Sequence, residues 1–99
     1  MNIEEKLELI DQINLVLRHV KMKQQTSKNP DYITIYEKFM KLKLALENGD
    51  DIRNCSIRWF LRNLYDASFC CAYDDPLVLA MDKAISMYSL LEEKENKSS

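Results

Sequence analysis

The sequence predicts an all-α fold, an up-down four-helix bundle with helices over about 3–24, 30–48, 51–72 and 76–93. Three observations predict it. One glycine and two prolines are too few for the many turns of an all-β fold. Apolar residues recur at steps of three and four, the period of a helix with one buried face. Three short breaks, near 25–28, 49–50 and 74–76, carry the residues that stop and start helices.

The first helix opens with Asn2 as a candidate cap and Glu5 three residues later, as in a capping box. Ile3, Leu7, Ile10, Ile13 with Val16, Leu17 and Val20 form its expected inward stripe. Glu4, Glu5, Glu8 and Asp11 sit near the positive end of its dipole, and Lys21 and Lys23 near the negative end. The polar loop 25–28 leads to Asn29-Pro30. Here Asn caps the second helix and Pro takes the first helical position, where its missing N–H costs little. Tyr32, Ile35, Tyr36, Phe39, Met40, Leu42 and Leu46 cover a broad face, and Gly49 provides a left-handed stop.

Asp50 or Asp51 is the expected cap of the third helix, in which Ile57, Phe60, Leu61, Leu64 and Cys71 can face inward. Asp75-Pro76 starts the fourth, which carries Leu77, Met81, Ala84, Ile85, Tyr88 and Leu91. Short connections make successive helices antiparallel neighbours. The chain reads as one helical domain over 1–99, with 92–99 a polar tail expected to fray.

The totals narrow the function classes. A net charge of −2 does not suggest a general nucleic-acid binder. No apolar run approaches the roughly 18–20 residues of a membrane span, and the acidic first residues are unlike a secretory signal. Cys55, Cys70 and Cys71 are odd in number. Adjacent Cys70 and Cys71 are poorly placed to bridge, so reduced thiols and a cytoplasmic location are expected. His19 is the single histidine and has no companion at ligand spacing, so no metal or cofactor is expected. There is no glycine-rich phosphate loop and no nucleophile with its base, so no enzymatic activity is expected.

The candidate sites are acidic. The expected topology gathers Glu4, Glu5, Glu8, Glu47, Asp50, Asp51, Glu92, Glu93 and Glu95 at one end of the bundle. Glu4, Glu5, Asp50 and Asp51 also suit helix starts; Glu92 and Glu93 sit at the wrong pole of their helix and are harder to explain structurally. Asp74 and Asp75, with Asp82 in the helix that follows, form a second cluster, in which Asp75 has a structural role as cap. Arg58, Trp59 and Arg62 are a third group, of types enriched at binding hot spots, although a Trp on so apolar a helix suits a core.

The segment from Ile57 to Asp66, IRWFLRNLYD, followed by Asp75-Pro76-Leu77 and Met81-Asp82-Lys83-Ala84, resembles small helical immunity proteins. These accompany bacterial toxin domains, including those of contact-dependent growth inhibition systems. The resemblance covers roughly residues 50–91 and rests on arrangement and size. It implies an antitoxin that binds one cognate toxin in the producing cell's cytoplasm and occludes its active site. Such toxins include nucleases with basic clefts, which an acidic surface would match. On this reading the partner contacts are Asp50, Asp51, Asp74, Asp75 and Asp82. The alternative is a helical adaptor or regulatory protein, possible as a homodimer, acting through the apolar face of helix two. A DNA-binding domain using Lys38, Lys41, Lys43, Arg58 and Arg62 is opposed by the pI near 5.4.

Overall fold

The computed structural model describes residues 3–50 and 75–98, with side chains through residue 94. These residues form α1 (Ile3–Thr26), α2 (Pro30–Asn48) and α3 (Pro76–Ser98). Among the described residues there are three helices and no strand, so the fold is all-α and the expected four-helix bundle is corrected to three helices. The segment assigned to the additional helix, 51–72, lies outside the described residues. That assignment rested on apolar periodicity, a local signal that nominates a helix without establishing it.

The boundaries of α2 follow from its ends. The Asn29 Oδ1 accepts the Asp31 amide at 2.9 Å, and Pro30 occupies the first turn. At the other end Gly49 adopts φ 76°, ψ 19°. The Gly49 amide donates to the Leu46 carbonyl at 3.4 Å and the Asp50 amide to the Ala45 carbonyl at 2.9 Å. These are the two bonds of a Schellman stop. Between α1 and α2, the Ser27 amide donates back to the Lys23 carbonyl at 2.9 Å, and Ser27 Oγ accepts the Asn29 amide at 3.3 Å.

α1 is the shared neighbour, packed against both α2 and α3. The seam positions alternate steps of four and three in each helix. They are Leu9, Ile13, Val16 and Val20 on α1; Tyr32, Ile35, Phe39, Leu42 and Leu46 on α2; and Leu77, Met81, Ala84, Tyr88 and Leu91 on α3. That alternation keeps one face of each helix in the core over several turns. The expected inward residues of α2 and α3 are buried or packed against the core, and the broad face offered for an adaptor is the face α2 spends on its own core.

On α1 the expected stripe was misplaced at its start. Ile3 and Leu7 are 70% and 53% exposed, while Leu9, not expected inward, is fully buried. At 100° per residue Leu7 lies about 120° around the helix from Ile13, too far to share its face. α3 continues to Ser98, past the expected end near 93.

Polar contacts also join α1 to its neighbours. Gln12, 9% exposed within the apolar seam, donates from Nε2 to the Ala80 carbonyl of α3 at 3.0 Å. The Lys21 ammonium lies 5.6 Å from the Tyr36 ring centroid of α2, within cation–π range.

Candidate functional site

α1 and α3 run antiparallel, and an ion pair closes each end of the pair. At one pole Lys23, in the last turn of α1, donates to Asp75 Oδ2. Asp75 caps α3 at the same time: its Oδ1 accepts the Leu77 amide at 2.9 Å, and its carbonyl accepts the Leu79 amide at 3.0 Å. Burial pushes the Asp75 carboxyl up. The Lys23 hydrogen bond, the Leu77 amide and the nearby charges of Lys23 and His19 outweigh it and hold the carboxyl below its ordinary value of 3.8. An open depression beside this junction is lined by His19, Met22, Lys23, Thr26, Asp75 and Pro76.

At the opposite pole Lys94 of α3 donates to Glu5 Oε1 of α1. The other oxygen, Glu5 Oε2, is buried and has no hydrogen-bond partner among the described residues. Glu5 lines an open cleft of about 260 Å³ between the helices, together with Glu8, Met87, Leu90, Leu91 and Lys94. Leu90 is 61% exposed there. An apolar wall beside the exposed Glu8 suits a side chain that is aliphatic along its stem and cationic at its tip, such as lysine or arginine.

The described members of the two expected acidic clusters lie apart. Asp50 is exposed after the stop of α2, at the pole where α1 begins, whereas Asp75 lies at the other pole. Asp82 is exposed two turns into α3, where its carbonyl accepts the Ser86 hydroxyl at 3.1 Å. Asp51 and Asp74 lie outside the described residues, as do Arg58, Trp59 and Arg62 and the three cysteines.

Glu92 has a structural role after all. The hydroxyl of Tyr88, a residue only 1% exposed, donates to Glu92 Oε2 at 2.7 Å. The carboxylate thus satisfies a phenol whose ring fills the core. The i, i+4 spacing of Tyr88 and Glu92 was a signal for it in the sequence. Sequence reasoning also missed Lys23 as the partner of Asp75, although a base ending α1 and an acid starting α3 are drawn together by antiparallel packing. Gln12, Met87 and Leu90 carried no such signal.

Among the described residues no group of three or more His, Cys, Asp or Glu is placed to hold a metal ion, and no helix is long and apolar enough to cross a membrane. No protein-family model, curated protein or solved structure matches this chain.

Proposed function

We propose that this chain is an immunity-type inhibitor that binds and neutralises a basic toxin domain, of the nuclease kind, through the acidic end of the bundle. The observation that carries the reading is the cleft at that end. Glu5, held by Lys94, stands there beside the apolar wall of Met87, Leu90 and Leu91. Glu8 stands at the same cleft, and Glu47, Asp50 and Glu93 are exposed at the same pole. An apolar centre ringed by acid suits a partner surface of the opposite pattern, as protein interfaces combine a dry core with a charged rim.

Neutralisation on this reading is steric. A lysine or arginine of the toxin enters the cleft, pairs with Glu8 and lays its stem on Leu90. The surrounding carboxylates speed encounter and cover the basic substrate groove. Asp75, already engaged by Lys23 and by its own helix, contributes through the fold instead of by contact.

The test is to capture basic partners of this chain from the source organism's lysate and to co-express each captured toxin domain with it. Restored growth and a co-purifying one-to-one complex support the reading. Growth arrest that persists while this chain is well expressed rejects it.

A further inference from the structure

We infer that the outward stripe of α2 is a self-association surface that pairs with the same stripe of a second copy, antiparallel across a two-fold axis. The stripe consists of Ile33, Glu37, Lys41 and Leu44, all exposed, flanked by half-buried Met40. At 100° per residue Ile33, Glu37 and Leu44 fall within about 40° of one another, and Lys41 within about 80° of Ile33. The core residues Ile35, Phe39, Leu42 and Leu46 occupy the opposite side of the helix. Ile33 at 54% and Leu44 at 49% exposure are thus large aliphatics placed where α2 faces away from its own core.

The pattern is self-complementary. An isologous interface requires that residue i meet residue j while j meets i. In an antiparallel pair centred between residues 38 and 39, Ile33 comes opposite the partner's Leu44, and Leu44 opposite the partner's Ile33. Glu37 comes beside the partner's Lys41, and Lys41 beside the partner's Glu37. Two aliphatic contacts therefore flank two opposite-charge contacts. A parallel pairing sets Glu37 against Glu37 and Lys41 against Lys41, and like charges disfavour it.

One helix face of this length covers an area of roughly 800–1,000 Å² in total, at the low end of specific interfaces, so the dimer is weak and reversible. The stripe faces away from α1 and so lies apart from the cleft between α1 and α3. Self-association and toxin binding are separable, and the inference stands without the functional reading.

Sedimentation velocity of the full chain over a concentration series tests it, with circular dichroism to confirm that each variant is folded. Wild type should show a concentration-dependent monomer–dimer equilibrium. Glu37→Lys and Lys41→Glu should each weaken self-association by about tenfold or more, because each sets like charges together. Mixed in equal amounts, the two variants should recover a dimer near wild-type strength, since one supplies two acids and the other two bases. Leu44→Glu, which removes the aliphatic contact, should also be monomeric. A wild-type chain that stays monomeric up to about 1 mM overturns the proposal and leaves the stripe to a different partner. So does a dimer indifferent to the charge reversals, or a mixture with no recovery.

Discussion

Lys23 and Asp75 tie the end of α1 to the start of α3: the Lys23 ammonium holds one oxygen of the Asp75 carboxylate while the other oxygen caps α3 through the Leu77 amide. One side chain thus serves a helix end and an interhelical contact. The carboxyl of Asp75 is held below 3.8, with burial opposing and the Lys23 and Leu77 hydrogen bonds prevailing. Because the folded value lies below the unfolded one, this stabilisation is complete above the ordinary carboxylate value. It is lost as pH falls through the folded value.

Asp75→Asn keeps a capping oxygen and removes the charge. It should cost about 1 kcal/mol at neutral pH, the scale of a partly exposed ion pair with some cap weakening. The gap between variant and wild type should close on acidification below about pH 4, where the wild-type carboxylate also loses its charge. Urea midpoints measured from neutral pH to acid report this directly. A constant gap would mean that the charge of Asp75 adds nothing to stability.

Gln12 joins α1 to α3 through the Ala80 carbonyl inside an apolar seam. Gln12→Met keeps the volume and loses the hydrogen bond, for an expected cost of about 1 kcal/mol. Gln12→Ala also opens a cavity and should cost about 2–3 kcal/mol. Chemical denaturation of both variants measures the two losses. An equal loss for both places the effect in the hydrogen bond alone.

Gly49 stops α2 at φ 76°, and a Cβ added there meets nothing within 4 Å. Gly49→Ala should therefore cost only the backbone term, about 1 kcal/mol for an L-residue in the left-handed region. Gly49→Asn, which tolerates that region, should cost less. A thermal-melt series of the three proteins checks the order. An alanine variant as stable as wild type would show that α2 ends equally well without the left-handed turn.

α2 was the most legible element, because Asn29-Pro30 and Gly49 act on the backbone within a few residues of themselves. The inward residues of α3 were legible for a similar reason, since Leu77 to Leu91 keep a steady alternation. α1 was less so: its apolar residues occupy more than one face, and packing against two helices chose Leu9 over Leu7. The bond from Gln12 to Ala80 joins residues 68 positions apart, and no local pattern announces it. Asp75 was legible as a cap, but its partner Lys23 depends on which helix ends adjoin. Asp50 and Asp75 were read as members of two separate acidic clusters, and in the structure they lie at opposite poles. The count of four helices rested on periodicity over 51–72, and among the described residues it is corrected to three.

The central claim is that the acidic pole steers a basic toxin domain onto this chain. Its most direct test is the association rate with a toxin domain captured from the source organism's lysate, at low and at moderate salt. Wild type is compared with a triple variant carrying Glu8→Lys, Asp50→Lys and Glu93→Lys. The account predicts fast, salt-sensitive association for wild type. It predicts a fall of about tenfold or more for the variant, with a smaller change in dissociation. An association rate unchanged by the three reversals and insensitive to salt would contradict it.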